Sequence, residues 1–174
     1  MGLFGRLLQR LDDGLRIQDY DKVAEQIKEF ALSPALDDFE RERLSELGTT
    51  TEMYIAERDF LLIGLCNATL RHFAGKSDNL KLSMASSSFS NIIEKYLMQR
   101  AGIDADQAQT YMSRICNKYY LAEPEVTAGR FLSALSDGDL GEPDLVQTPQ
   151  ILDLVRHLLR KTLLFVQRNL AELS

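Results

Sequence analysis

The apolar positions are densest in the middle of the chain, where residues 60–66 contain no polar side chain. A helix that lacks a polar stripe for two turns must be covered by other elements on every side. Three threonines at residues 49–51 can cap the N-terminus of such a helix, and Glu52 suits the positive end of its dipole. Glycine commonly follows the last residue of a helix, and Gly75 is placed to end this one. The pattern therefore predicts a central buried helix over about residues 50–74.

A second strongly apolar stretch occupies residues 149–173, where Thr148 and Pro149 supply an N-cap and a first helical residue. Its apolar side chains cover an arc that is too wide for one neighbouring helix. Either two or three helices of the same domain cover this arc, or part of it contacts another subunit. Leu158 and Phe165 are the candidate partner-binding residues of this long C-terminal helix.

The extreme N-terminus is also amphipathic, because residues 1–17 place apolar side chains at three- and four-residue spacing with arginines between them. Such a helix either folds back on the core or binds a partner groove or a membrane surface. Arg6 stands where N-myristoylation requires serine or threonine, and only two arginines support a membrane role. The candidate partner-binding residues of this segment are Leu3, Phe4, Leu7, Leu8 and Leu11.

Five further segments carry helical periodicity or helix-end signals. They are residues 19–32, 37–47, 80–101, 104–121 and 124–135. The serines of residues 83–90 predict an irregular segment before a helix that is firm from about Ser90, although they could also allow close helix packing or line a polar pocket. No segment alternates as a strand does. The sequence therefore predicts an all-α, single-domain bundle of about six to eight helices over residues 1–174, with residues 1–17 either docked or peripheral.

Two charged runs are predicted to lie in water. Residues 57–59, a glutamate, an arginine and an aspartate, precede the apolar run by about one turn, and charged side chains are rarely buried without partners. A solvent-exposed edge is the prediction, with internal pairing as the alternative. Residues 37–47 are expected to bury only a thin stripe. The side chains predicted to be solvated there are Glu40, Arg41, Glu42 and Glu46.

Composition narrows the class of protein. The chain has 174 residues, of which 45% are hydrophobic and 26% are charged, as in ordinary soluble domains. A net charge of −6 without a basic stripe argues against nucleic-acid binding. No apolar run approaches the roughly 18 residues of a membrane span, and no signal peptide is evident. Cys66 and Cys116 predict two buried free thiols in a reducing compartment. We therefore expect a cytoplasmic protein.

The local motifs of catalysis and of cofactor binding are incomplete. Residues 75–77 have the Gly-Lys-Ser that ends a phosphate-binding loop, but Leu70 replaces the required first glycine. The acidic residues 136–147 lack the glycine and the final glutamate of a calcium-binding loop. Neither His72 nor His157 completes the Glu-x-x-His pair of a di-iron bundle. The sequence thus assigns no catalytic residue, metal ligand or cofactor, and it favours a protein that is not an enzyme.

Three functions compete. The first is a helical interaction protein, such as an adaptor, regulator or chaperone, that binds a protein partner or forms a homodimer through apolar helix surfaces. The second is a bundle that holds an apolar or ring-shaped small molecule between the central helix, the tyrosine-bearing helix of residues 104–121 and the last helix. Small residues such as Gly64, Ala68 and those at 86–88 would leave space for this molecule between the helices. The third is a peripheral membrane protein anchored by residues 2–11.

Overall fold

The structure, a computed structural model, describes residues 17–47, 49–76, 79–119, 123–135 and 148–173. Their helices are α1 (Ile17–Ala31), α2 (Asp38–Leu47), α3 (Thr51–Gly75), α4 (Leu80–Ala101), α5 (Ala105–Tyr119), α6 (Pro124–Leu135) and α7 (Thr148–Leu170), followed by a short 3-10 turn at Ala171–Leu173. All the regular secondary structure in these ranges is helical, which confirms the predicted all-α bundle. None of these helices is both long enough and apolar enough to cross a membrane.

The predicted N-terminal helix falls outside the described ranges, apart from Ile17 at the start of α1. This also holds for its candidate partner-binding residues. They are Leu3, Phe4, Leu7, Leu8 and Leu11. Their role in binding a partner or a membrane stays a prediction.

Helix α3 is the centre of the bundle, as the sequence predicts. The Thr50 side chain caps its N-terminus by accepting a hydrogen bond from the backbone N–H of Met53. Every residue from 61 to 68 is buried, because α1, α4, α5, α6 and α7 all pack on this helix. Only its C-terminal end differs from the prediction. Gly75 is the last helical residue and Lys76, in a right-handed helical conformation, is the cap.

Helix α4 is regular from Leu80, so the prediction of an irregular serine-rich start is wrong. Asn79 caps the helix through its side chain, and the Ser87 and Ser90 hydroxyls donate to backbone carbonyls one turn earlier. These bonds satisfy the hydroxyls inside the helix. Ser86 is buried beside Ala85, whereas Ser83, Ser87 and Ser88 line an open pocket next to α1, where the Ser88 hydroxyl donates to the Asp21 carboxylate.

The helix-end signals around α5 and α6 are confirmed. Gly102 ends α4 with a φ of 64°, in the left-handed region that favours glycine. Asp104 and Gln107 form a capping box, in which each side chain accepts a hydrogen bond from the other residue's backbone N–H, at 2.8 and 3.2 Å. Pro124 is the first residue of α6.

Helix α7 hides most of its wide apolar arc within its own domain. Leu154, Val155 and Leu158 are buried, and Phe165 stacks on Phe30 of α1 with ring centroids 4.3 Å apart. Leu158 is therefore a core residue, which could reach a partner only if α7 left the bundle. The apolar arc is open to solvent elsewhere, at Leu163 and Leu164, which are 46% and 57% exposed.

Candidate functional site

Charged side chains that were predicted to be solvated form a buried network at the start of α3. Arg58 is 1% exposed, and its guanidinium donates to the Glu40 carboxylate at 3.2 Å and to the carbonyl oxygen of Ala35 at 3.1 Å. It also donates to the carbonyl oxygen of Ser33. Glu40 is itself completely buried, and the Tyr54 hydroxyl donates to it at 3.1 Å. The prediction of a solvated edge is wrong for Arg58 and Glu40 because each supplies the partner that the other needs.

The same network ties α2 to α7. Asp37 and Glu40 form a second capping box at the start of α2, with Glu40 N–H donating to the Asp37 carboxylate at 2.9 Å and Asp37 N–H donating to Glu40 at 3.2 Å. Lys161 of α7 donates to Asp37 at 2.8 Å and to Glu40 at 3.0 Å. Nε2 of His157 lies 2.9 Å from the Asp37 carboxylate. These contacts fix the short helix α2 against the bundle.

The ionisation of Asp37 follows from this arrangement. Partial burial alone would raise the pKa of Asp37, but the hydrogen bonds from Lys161 and His157 and from the Glu40 backbone outweigh it and hold that pKa far below its usual range. The pKa of Tyr54 is raised by burial and by the adjacent Glu40 carboxylate, so its hydroxyl remains a donor. The network is a stable structural element in which every charge has a partner.

An apolar cleft opens on the other side of this part of α3. It has a volume of about 460 Å³ and lies between α3, α4 and the segment that leads into α5, with one residue from the end of α1. Its apolar and aromatic lining residues are Leu32, Ala56, Phe60, Ile63, Tyr96, Leu97, Ala101, Ile103 and Tyr111. The ring centroids of Phe60 and Tyr111 are 6.4 Å apart. Such a space can receive an apolar or ring-shaped group.

Asp59 and Arg100 are the two charged residues that line this cleft. Asp59 is 6% exposed, and its carboxylate lies 3.4 Å from Arg58 Nη2 and 3.9 Å from Arg100 Nη1. Arg100 is largely exposed and rests on the Tyr96 ring, with Cζ 5.7 Å from the ring centroid. Burial raises the pKa of Asp59, and the two guanidiniums do not fully offset this effect. The burial of Asp59 also contradicts the predicted solvated edge.

The sequence anticipated only part of this cleft. Of the tyrosine-bearing helix α5, Tyr111 lines the cleft, whereas Tyr119 is buried with its hydroxyl donating to Glu57. The last helix α7 contributes no side chain to the lining. The space expected at Gly64 does not exist, because a Cβ atom there would meet Cβ of Tyr119 at 2.9 Å.

The cleft carries little that could act as a nucleophile. Among the described residues that line it, none is a cysteine, serine, threonine or histidine.

The prediction that both thiols are buried and free is confirmed. Asn67 Nδ2 donates to Cys116 Sγ at 2.7 Å, and burial raises the pKa of Cys66 and of Cys116. Neither thiol is therefore activated.

No protein-family model matches this chain, and no curated protein or solved structure matches it either. Function must therefore be inferred from the cleft and from the exposed surfaces.

Proposed function

We propose that the protein is a non-enzymatic binding protein that holds an apolar, ring-bearing small molecule in the cleft between α3, α4 and α5. The observation that carries this proposal is the cleft itself, a space of about 460 Å³ with an apolar and aromatic lining and two charged groups. Small-molecule sites in proteins usually measure about 300–1,000 Å³ and combine an apolar lining with a few polar groups that orient the ligand.

The competing hypothesis of a protein partner has less support from the described residues. Most of the apolar arc of α7 is covered by the protein's own helices, including Leu158 and the half-buried Phe165. The cleft, by contrast, is apolar surface that no other part of the described chain fills. A ligand that covers Phe60 and Ile63 would gain hydrophobic free energy from surface that is otherwise left next to solvent.

Binding of a neutral fluorescent probe, N-phenyl-1-naphthylamine, tests the proposal. We expect its fluorescence to rise on binding to the wild-type protein, and we expect Ala56→Phe, which fills the cleft from α3, to weaken binding by about tenfold or more. Ala171→Phe is the matched control, since Ala171 is exposed in the C-terminal 3-10 turn, away from the cleft. Circular dichroism establishes that both variants fold. Equal binding by both variants, or no binding at all, contradicts the proposal.

Self-association through α7 is a second candidate function, favoured by the exposure of Leu163 and Leu164. Two adjacent, largely exposed leucines are typical of an apolar contact surface. Light scattering at micromolar concentrations should then show a dimer that the double variant Leu163→Glu/Leu164→Glu dissociates. Val126→Glu alters another exposed apolar residue and is the control. A single wild-type species of 19.7 kDa contradicts this candidate.

A further inference from the structure

We propose that the ligand of this cleft carries a cationic nitrogen, and that this nitrogen pairs with Asp59 in place of Arg100. This inference rests on the proposed function and specifies the chemical class of the ligand, an amine on an apolar or aromatic body. Three features of the cleft support it: an under-paired carboxylate inside, a guanidinium that can leave, and aromatic walls.

The Asp59 carboxylate is buried but only loosely paired. Ion pairs between nitrogen and carboxylate oxygen usually measure about 2.7–2.9 Å. The two guanidiniums near Asp59 lie at 3.4 and 3.9 Å. Arg58 cannot move closer without giving up Glu40 and the carbonyl oxygens of Ser33 and Ala35. Asp59 therefore keeps acceptor capacity in a site that is poor in water, where a new cationic partner is strongly favoured.

Arg100 is the partner that can be displaced. Its side chain is 60% exposed, it belongs to the last turn of α4, and its contact with Asp59 is the longer of the two. A guanidinium that lies largely in water and 3.9 Å from its carboxylate partner is only weakly held by it. When Arg100 turns toward solvent, its charge becomes fully hydrated, and the space beside Asp59 is free for a ligand.

The aromatic lining favours the same kind of ligand. Phe60, Tyr96 and Tyr111 line the cleft around Asp59, and Arg100 already lies over the Tyr96 ring at 5.7 Å. The faces of aromatic rings attract cations. Arg100 also donates to the Tyr96 hydroxyl through Nη1, so a ligand amine that replaces it would take over both the contact with this ring and a hydroxyl acceptor.

An anionic ligand is the alternative, since it could pair with Arg100. The positions of the two charges argue against it, because the carboxylate is the buried group and the guanidinium is the exposed one. An anion inside the cleft would lie next to Asp59 and be repelled by it in surroundings of low polarity. The pKa of Asp59 is raised because the nearby guanidiniums do not fully offset the burial of its carboxylate. This favours a further cation beside Asp59 and disfavours an anion.

Three probes of similar shape test the inference, namely 2-phenylethylamine, 2-phenylethanol and 3-phenylpropionate, each competing with N-phenyl-1-naphthylamine near neutral pH. For the wild-type protein we expect the amine to bind about tenfold more tightly than the alcohol, and the carboxylate to bind most weakly. Asp59→Asn should remove the preference for the amine, because it lowers the affinity for the amine far more than the affinity for the alcohol. Arg100→Gln should strengthen amine binding severalfold, because it removes the internal competitor.

The outcomes separate this inference from the proposed function. If the naphthylamine itself does not bind, the proposed function fails. If the naphthylamine and the alcohol bind but the amine has no advantage, only the present inference fails. Tightest binding by the carboxylate, lost in Arg100→Gln, would assign the pairing role to Arg100 and overturn the inference. The wild-type comparison and Arg100→Gln decide these outcomes even if Asp59→Asn does not fold.

Discussion

Arg58 and Glu40 can both be buried in the core because each offsets the charge of the other. The Arg58 guanidinium has acceptors in Glu40, Ser33 and Ala35, and Glu40 has donors in Tyr54 and Lys161. Removing one member leaves the others buried with an uncompensated charge, which costs far more than the pair contributes. The stability of the protein is therefore sensitive to the replacement of any single residue of this network.

Replacement of Arg58 should be among the most destabilising changes in the described chain. We expect Arg58→Met to lower the free energy of unfolding by about 3–5 kcal/mol, since the buried Glu40 would lose its fully buried cationic partner and keep only the partly exposed Lys161. Urea denaturation measures the loss. Arg41→Met is the matched control, because Arg41 pairs with Asp38 at the surface and should cost less than about 1 kcal/mol. Similar losses in both variants would show that burial does not set the effect.

Asp37 combines a helix cap with an ionic contact to Lys161 and a contact with the His157 ring, and two substitutions separate the cap from these contacts. Asp37→Asn keeps a capping side chain but loses the charge that faces Lys161 and His157, so we expect a loss of about 1–2 kcal/mol at pH 7. Asp37→Ala should cost about 1 kcal/mol more, because the cap is lost as well. Chemical denaturation at fixed pH measures both.

The pH dependence of the Asp37→Asn effect follows from the lowered pKa of Asp37. A carboxyl group whose pKa is lower in the folded state stabilises the protein above the unfolded pKa, and this contribution is lost as the pH falls toward the folded value. The difference between wild type and Asp37→Asn should therefore be present at about pH 5 and shrink below about pH 4. A difference that grows below about pH 4 contradicts this assignment.

At the level of whole elements, α3 and α5 approach each other closely at Gly64. A Cβ atom at this position would lie 2.9 Å from Cβ of Tyr119 and 3.3 Å from the Ile115 carbonyl oxygen. Neither neighbour is the flexible end of a side chain, so the helices would have to separate. The glycine is therefore kept for packing, although it lowers the helix propensity of α3.

Two glycine-to-alanine substitutions should have opposite effects. We expect Gly64→Ala to destabilise the protein by about 1–3 kcal/mol through overpacking. Gly129→Ala, in the interior of α6 with nothing within 4 Å of its new methyl group, should stabilise it by about 0.5–1 kcal/mol. Thermal unfolding of the two variants measures the contrast. A stabilised Gly64→Ala would mean that α3 and α5 are further apart than the structure places them.

The helices were predictable because their signals are local. The Thr50 cap, the Asp104 capping box, Gly102 and Pro124 each act within one turn of a helix end, so a short window of sequence contains the whole interaction. The burial of Arg58 was not predictable, because its partner Glu40 is 18 residues away and is placed by the packing of α2. The serines of α4 misled for a different reason, since Ser87 and Ser90 donate to carbonyls of their own helix and so do not interrupt it.

The cleft was the least predictable feature, because it belongs to the molecule as a whole. Leu32, Phe60, Leu97 and Tyr111 come from four different helices or their ends, and no spacing along the chain connects them. Periodicity identifies which side chains are apolar but does not indicate which pack against each other and which leave a gap. Only the packing of α3, α4 and α5 shows that Tyr111 lines the open cleft whereas Tyr119 is completely buried.

Across the whole molecule, different helices should unfold locally at different free energies. Helix α3 is buried over eight consecutive residues and is covered by five other helices, whereas in α2 only Glu40 is buried among the described side chains. Helix α2 is held mainly by α7, through the Asp37 contacts and the stacking of Phe39 on His157 at 4.6 Å. Elements with few buried apolar contacts unfold locally at lower free energy than the core.

Hydrogen exchange measures this difference directly. We expect the amides of α3 to exchange only through global unfolding and those of α2 to exchange much faster through local opening. Asp37→Ala, which removes the cap and the contact with Lys161 at a cost of about 2–3 kcal/mol, should speed exchange in α2 by about thirtyfold to 150-fold through the lower cost of that opening. If α2 detaches alone, its amides exchange in the wild-type protein at a lower opening free energy than those of α3, and Asp37→Ala lowers both free energies because its contacts are broken in either opening. Equal opening free energies for the two helices in the wild type would mean that α2 and the core unfold as one cooperative unit.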